Sequence, residues 1–376
     1  MALAAPIELD IREAELSDVD ALLAIEDRCF DSDRLTRRSF RHWIKAEHGI
    51  LLVAQQHQKI LGYGLVWCHQ GTRLARLYSL ASLPEARGQG VARQLLSALE
   101  KAAAEQGRLF LRLEVAKHNE TAIALYQNNG YRIFGEFSDY YEDHSDALRM
   151  QKIIAQVQQE TLQLQTPWYC QTTNFTCGPA ALMMAMASLE PELRMDQQLE
   201  LDIWRQATSI FMTSGHGGCH PFGLALAAGD NNFETEVWLN THDTLFIDGV
   251  RKLNKKNILD VVHQQFLQRT EAHPAINIHY GDINQQQIAD WLQQGYAVVV
   301  LISTYQLDGK KTPHWVTVTG IDDRCLYVHD PDPSEKNLLP IDCQYLPIAR
   351  ADFDKMSAFG SSRLRTALAI KPLEVN

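Results

Sequence analysis

QTTNFTCGPAALMM, residues Gln171–Met184, passes from a polar segment through Cys-Gly-Pro into an apolar helical pattern. The pattern predicts that Cys177 stands on the first turn of a buried helix, with Pro179 just inside its start. Unpaired amides and the positive end of the helix dipole favour a thiolate there by about 0.3–2 kcal/mol. Because an ordinary thiol has a pKa near ~8.5, a nucleophilic cysteine needs a second cation as well. Gln171 is a candidate amide donor to the oxyanion that forms on an attacked carbonyl.

The second cation is predicted far along the chain. His314 opens HWVTVTGI, an alternating strand pattern, and Asp330 closes the next strand pattern, CLYVHDPDP. Pro331 favours extended backbone at Asp330, as suits the end of a strand. A base on one strand and its orienting carboxylate on the neighbour predict a Cys/His/Asp arrangement. In it, His314 takes the thiol proton and Asp330 fixes the imidazole tautomer.

A resemblance to the papain-like, bacteriocin-processing peptidases, which cut after double-glycine leaders, rests on Gln171, Cys177-Gly178-Pro179-Ala180, His314-Trp315-Val316 and Asp330-Pro331. It extends from about Thr166 to the C-terminus, and it implies an α+β papain-like fold with Gln171, Cys177, His314 and Asp330 as catalytic residues. From the residues alone, a Cys-Gly at a helix start is more often a buried small residue. A catalytically inactive peptide-binding module is therefore the alternative.

The N-terminal half has a phosphate-binding pattern in LYSLASLPEARGQGVARQLL, residues Leu77–Leu96. A strand leads into a glycine-bearing loop whose amides precede a helix, which is a ready anion site. A short glycine loop alone is weak evidence, because most such loops only begin helices. The surrounding strand and helix patterns predict a mixed sheet with helices on both faces.

The motifs that follow resemble the GNAT acetyltransferase superfamily, especially the type that acetylates the N-terminal alanine of a ribosomal protein. They include Glu114-Val115 at a strand end, Asn119, Tyr126 and Asn129-Gly130-Tyr131. The resemblance implies acetyl-CoA as co-substrate, Glu114 as general base and Tyr126 as the acid that protonates the leaving thiolate. It assigns the cofactor contacts to Leu80 and Ser82 on the strand, to Arg87, Gly88, Gln89, Gly90, Val91 and Ala92 in the pyrophosphate loop, and to Asn119.

The acceptor chemistry favours an N-terminal α-amine. An α-amine has a pKa of about 7.7–8.0, whereas a lysine amine lies near ~10.4. The gap of ~2.5 pKa units corresponds to about 3.4 kcal/mol, so a single glutamate deprotonates an α-amine more easily. A lysine acceptor is not excluded by this argument.

Length and composition predict two domains: residues 1–154 as the acetyltransferase, a glutamine-rich linker at 155–166, and 167–376 as the peptidase-like domain. The net charge of −11 argues against nucleic-acid and acidic membrane partners and suits a basic or neutral peptide. The apolar runs are too short to span a bilayer, and the N-terminus lacks signal-peptide features. Together with seven cysteines, an odd number, these features predict a cytosolic protein with reduced thiols.

A zinc site is one interpretation of His216, Cys219 and His220, whose side chains are common zinc ligands. No fourth ligand is apparent, and the glycines of this segment suggest a loop at the edge of the cleft, so no metal is expected. His263, His273 and His279 are interpreted as surface or satisfied core groups.

The leading hypothesis is a bifunctional enzyme that cleaves a peptide through a thioester and acetylates an amine from acetyl-CoA. Cleavage creates a new α-amine, so one peptide could be cut and then capped. One alternative makes the C-terminal domain a binding module that delivers a protein substrate. Another makes the N-terminal domain an acyl-CoA sensor.

Overall fold

A computed structural model of the chain describes residues 9–155, 162–208, 218–247, 250, 252–310, 312–333 and 340–373. The chain divides into two compact units, Met1–Gln158 and Gln159–Asn376. Each unit has its own hydrophobic core. The fold class predicted for each half is confirmed, with a GNAT-type mixed sheet in the first unit and a second mixed sheet in the second.

The first unit alternates strands with helices. Its elements are β1 Asp10–Glu13, α1 Val19–Cys29, α2 Arg37–Trp43, β2 Gly49–Gln56, β3 Lys59–Cys68, β4 Leu74–Ser82, α3 Val91–Glu105, β5 Phe110–Ala116, α4 Glu120–Asn128, β6 Arg132–Phe137 and β7 Ala147–Ile153. The strands form one sheet in the order β1-β2-β3-β4-β5-β7-β6. The pair β4 and β5 is parallel, because α3 carries the chain back across the sheet between them.

The second unit begins with a short strand and a helical layer. Its elements are β8 Leu162–Gln163, α5 Cys177–Leu189, α6 Gln197–Ala207, α7 Pro221–Asp230, β9 Phe233–Leu239, α8 Leu253–Glu271, β10 Ile276–Tyr280, α9 Gln285–Gln293, β11 Ala297–Ser303, α10 Tyr305–Asp308, β12 Pro313–Ile321, β13 Cys325–His329, β14 Leu346–Ala349, α11 Arg350–Met356 and β15 Thr366–Pro372. The long strands are ordered β10-β9-β15-β11-β12-β13-β14.

The strand β8 lies in the segment that the sequence assigns to a linker. It pairs antiparallel with β12, Gln163 opposite Gly320, and the amide of Leu164 donates to Thr319 O at 2.7 Å. Thr166 is buried. Backbone pairing therefore ties the end of the predicted linker to the second sheet, while residues 156–161 of that prediction lie outside the described residues.

Helix α5 is the centre of the second unit. Every residue from Gly178 to Ala187 is buried, so the helix is apolar on all sides and surrounded by protein. It packs against β11 and β12 of the sheet and against α6 and α7. This position fixes the first residue of the helix, Cys177, at the edge of the core.

Candidate functional site

Cys177 is the first residue of α5, as the sequence predicts, and its side chain is half-buried. The first backbone bond of the helix runs from the amide of Ala180 to Thr176 O at 3.0 Å. The amides of Cys177 and Gly178 thus precede Ala180, the first helical donor, and face the N-terminal end. The partial positive charge of this end lies beside the thiol.

His314 and Asp330 lie on neighbouring strands. β12 pairs antiparallel with β13, and Asp330 directly follows β13. Nε2 of His314 lies 2.7 Å from Oδ1 of Asp330, and both side chains are largely buried. The carboxylate is held by the amide of Asp332, which donates to Oδ1 at 2.9 Å, and the backbone is held by Trp168 Nε1, which donates to Asp330 O at 2.8 Å.

The imidazole of His314 also contacts Cys177. Burial alone would lower the pKa of His314, but the charges of Asp330 and Cys177 and its hydrogen bonds to both residues raise that pKa well above its usual value. Because Nε2 is engaged by Asp330, Nδ1 is the ring nitrogen available to the thiol. The structure thus brings together the three side chains that the sequence assigned to nucleophile, base and orienting carboxylate.

Close packing holds Cys177 and His314 in this arrangement. A side chain on Gly178 would meet Cβ of Cys219 at 2.9 Å and Cδ1 of Trp315 at 3.2 Å, so only glycine fits next to Cys177. Two residues after Trp315 on the same strand, Thr317 Oγ1 donates to Ala181 O at 2.7 Å. The strand that carries the base is therefore bonded to the helix that carries the thiol.

Gln171 lies beside the carboxylate. Its backbone amide donates to Pro331 O at 2.9 Å, and its side chain is buried, with Oε1 without a hydrogen-bond partner in the described part of the chain. The residue is therefore near the site, as the sequence predicts. Trp168, whose indole bonds the Asp330 backbone, was missed, because a tryptophan in a polar loop has no distinguishing sequence signal.

A cavity of about 710 Å³ adjoins His314 through its neighbour Pro313. Two segments form most of its wall, residues 241–247 and 359–364. Asn240 connects them, since its Nδ2 donates to Arg363 O at 3.0 Å and its Oδ1 accepts from the amide of Arg365 at 2.8 Å. A cavity of this size holds a small molecule or a few peptide side chains.

The zinc interpretation finds no support in the described residues, where no cluster of three metal-binding side chains occurs. His220 caps α7, with Nδ1 accepting from the Phe222 amide at 3.1 Å, and Nε2 lies 3.1 Å from Nδ1 of His263. His216 lies outside the described residues. His263 is a buried core group, while His273 and His279 pair with acidic side chains, Asp230 and Glu236.

The glycine loop of the first unit lies between β4 and α3. Gly88 and Gly90 have φ values of +75° and +84°, a backbone conformation that glycine adopts without strain. The helix begins at Val91, and its first backbone bond runs from Gln94 N to Gly90 O at 3.0 Å. The amides of Val91 and Ala92 precede that bond and can receive an anionic group, as expected for a diphosphate.

The strands β4 and β5 diverge beyond their first residues. They pair only from Leu74–Arg76 with Phe110–Arg112 in the described residues, although β4 continues to Ser82 and β5 to Ala116. On its other side β4 stays paired with β3, and Tyr78 forms a bulge. The backbone of Leu80 and Ser82 therefore has an edge open toward the gap, which fits the amides of a pantetheine arm.

Glu114, the predicted base, lies on β5 in this gap. Arg76 Nε donates to its Oε2 at 2.8 Å, and the two side chains are 6% and 4% exposed. Arg76 also donates to the Tyr140 hydroxyl at 2.5 Å. Arg76 was not predicted, because an arginine in an alternating strand has no separate signal in the sequence.

The other predicted acetyltransferase residues lie on α4. Asn119 caps the helix by accepting from the Ala122 amide at 3.1 Å, which leaves Nδ2 as a donor. Tyr126 is buried, and burial raises the pKa of its hydroxyl, so the phenol stays protonated at neutral pH. Tyr141 lies near both Glu114 and Tyr126, and burial and then the charge of Glu114 raise its pKa.

Two family profiles match the chain. The Peptidase_C39 like family matches residues 166–371, and the Acetyltransferase (GNAT) family matches residues 19–131. None of the helices in the described part of the chain combines the length and apolar character needed to cross a bilayer.

Individual relatives cover about a third of the chain, and a similar solved structure covers about two fifths. "Uncharacterized N-acetyltransferase YhfO" of Bacillus subtilis is 28% identical over 133 residues, covering 33% of this chain and 89% of that protein. "Mycothiol acetyltransferase" of Jonesia denitrificans is 30% identical over 126 residues, covering 31% of this chain but only 40% of that protein. Among solved structures, the ribosomal-protein-S18-alanine N-acetyltransferase of Escherichia coli is 26% identical, with 41% of this chain and 98% of that chain covered and a TM-score of 0.37.

Proposed function

We propose a function for this chain from the premise that it belongs to the Peptidase_C39 like family, through residues 166–371, and carries a GNAT acetyltransferase domain before it. The N-terminal domain transfers acetyl from acetyl-CoA to a substrate. In our proposal the acceptor is a peptide or protein amine, and the C-terminal domain hydrolyses a peptide bond with Cys177 as nucleophile. Both activities then reside in one polypeptide.

The observation that carries the peptidase proposal is the position of His314 between Asp330 and Cys177. Asp330 orients the imidazole through Nε2, and the raised pKa of His314 favours an imidazolium beside a thiolate. In the proposed reaction, the thiolate adds to the scissile carbonyl, a C–S bond forms, and the π pair moves to oxygen. Gln171 and the amides at the start of α5 are the proposed donors to that oxyanion.

Collapse of the adduct breaks the C–N bond, and the imidazolium of His314 gives its proton to the leaving amine. Water then attacks the thioester, with His314 taking a proton, and releases the acid. The cavity beside Pro313 is the proposed place for side chains of the peptide next to the scissile bond.

For acetyl transfer, Glu114 is proposed to take the proton of the acceptor amine, directly or through water. Its ion pair with Arg76 holds the carboxylate at the gap between β4 and β5. Bound acetyl-CoA supplies an activated acetyl thioester. The backbone of Leu80 and Ser82, the loop at Arg87–Ala92 and Asn119 are proposed to hold it.

The test is intact-mass analysis of a peptide library incubated with the full chain, with and without acetyl-CoA. We expect cleaved, acetylated products from the wild type, uncleaved peptides from Cys177→Ala, and cleaved but unacetylated peptides from Glu114→Gln. Cys170→Ala and Glu120→Gln are matched controls expected to act like the wild type. Normal cleavage by Cys177→Ala would refute the nucleophile assignment.

A further inference from the structure

A buried carboxylate on α6 lies behind the loop that joins Gln171 to Cys177. Glu200 has no exposed surface. Its Oε1 accepts from the Thr172 amide at 2.8 Å and from Thr176 Oγ1 at 2.5 Å. Its Oε2 accepts from Thr172 Oγ1 at 2.7 Å and from the Tyr169 hydroxyl at 3.0 Å.

These contacts are unusual for a buried acidic group. Taking a carboxylate out of water is costly unless hydrogen bonds or an opposite charge compensate for the lost hydration. The donors that Glu200 meets in the described residues are all neutral groups, from Tyr169 just before the loop and from Thr172 and Thr176 within it. A carboxylate accepts at both oxygens at once, so this one side chain bonds several points of the loop together.

The bonded positions border the two residues that the peptidase chemistry needs. Thr172 directly follows Gln171, the proposed oxyanion donor, and Thr176 directly precedes Cys177. Five residues separate Gln171 from Cys177, and Glu200 bonds the first and the last of them. The separation between the amide donor and the sulfur therefore depends on this carboxylate.

We propose that Glu200 is a positioning residue for the peptidase site, which holds the 172–176 loop so that Gln171 and the start of α5 converge on the oxyanion. The inference rests on the proposed peptidase function. Glu200 contacts neither the substrate nor the reacting atoms, and acts through Thr172 and Thr176.

A positioning role predicts a split between two reactions of Cys177. Acylation by a peptide p-nitrophenyl ester passes through an oxyanion and needs the donors in place. Alkylation by iodoacetamide displaces iodide from a saturated carbon and forms no oxyanion. We expect Glu200→Ala to slow acylation by about 10²- to 10³-fold, the size seen when one oxyanion donor is lost. Its alkylation rate at Cys177, followed by peptide mass spectrometry, should stay within about threefold of wild type.

Three further variants separate positioning from general damage. Glu200→Gln keeps an acceptor oxygen, and its amide can donate to the hydroxyls of Thr172 and Tyr169, so acylation should recover to within about tenfold of wild type. Thr176→Val keeps side-chain volume but removes the bond to Glu200 together with the contacts of the hydroxyl to Thr173, and should slow acylation by about tenfold. Asp202→Asn, an exposed carboxylate on the same helix, should change neither rate.

The outcomes are distinguishable. Equal loss of acylation and alkylation in both Glu200→Ala and Thr176→Val would mean general structural damage and would overturn the inference, as would unchanged acylation in Glu200→Ala. A wild-type Cys177 that reacts with iodoacetamide but is never acylated would refute the peptidase function and, with it, this role of Glu200.

Discussion

The two candidate sites in this chain are built in opposite ways. In the C-terminal domain, side chains meet in hydrogen-bonded contact: Cys177 with His314, more than 130 positions further along the chain, and His314 with Asp330 on the neighbouring strand. In the N-terminal domain, the proposed cofactor site is mostly backbone, formed by the open edge of β4 and the loop that follows it. The contrast reflects the source of the reactive group. A thiol peptidase must generate its own nucleophile, while an acetyltransferase binds a co-substrate that is already an activated thioester.

The largest effect is expected when the arrangement of Cys177, His314 and Asp330 is broken. Asp330→Asn keeps the shape of the side chain but removes the charge that orients His314 and favours its imidazolium. Since the wrong tautomer and the lost charge both disable the base, we expect peptide cleavage to fall by about 10²- to 10⁴-fold. Acetyl transfer by the same chain should be unchanged, and kcat for each reaction is the measurement.

Asp323→Asn is the matched control, because Asp323 is an exposed carboxylate in the turn between β12 and β13. It should leave cleavage within about twofold of wild type. If Asp330→Asn cleaves as fast as this control, His314 does not depend on the carboxylate, and the three-residue arrangement is wrong.

The sequence predicted some residues of these two sites and not others. Side-chain type and order along the chain were enough to select Cys177, His314 and Asp330, because two adjacent strand patterns imply adjacent strands. Glu200, Arg76 and Trp168 were not found, because each acts through a tertiary contact that leaves no period or motif in the sequence. The sequence alone could not show that the end of the predicted linker pairs with the second sheet, since the pairing of Gln163 with Gly320 joins positions far apart in the chain.

A smaller effect concerns pH. Although burial opposes the charged form, Asp330 and Cys177 raise the pKa of His314 well above 6.5. The charged imidazole is therefore present at pH 6 and is lost only as pH rises through the raised pKa. Its contribution to folding stability is also present at pH 6 and is lost over the same rise in pH. At pH 6 an ordinary thiol of pKa ~8.5 is about 0.3% ionised.

We therefore expect Cys177 of the wild type to react with iodoacetamide about tenfold faster at pH 6 than Cys177 of His314→Ala. The imidazolium favours a thiolate beside it, but a thiolate stabilised in this way is also a weaker nucleophile, which limits the gain in rate. The rates should converge at high pH, once His314 has lost its proton. Parallel pH profiles for the two proteins would argue against an ion pair between Cys177 and His314.

An effect of similar size, on KM alone, tests the backbone site. Gly88 has φ +75°, and a Cβ there would have no neighbour within 4 Å, so Gly88→Ala introduces backbone strain without a clash. An alanine in this conformation costs about 1–2 kcal/mol, which the loop can relieve by moving its amides away from the diphosphate. KM for acetyl-CoA should rise by about tenfold with little change in kcat.

Gly107→Ala, at the same φ of +75° after α3, strains the fold outside the loop and should leave KM unchanged. Gly88→Asn should recover part of the affinity, since asparagine tolerates this conformation. If Gly88→Ala and Gly107→Ala raise KM equally, the strain acts through the whole domain. The proposal that the loop at Arg87–Ala92 binds acetyl-CoA is then wrong.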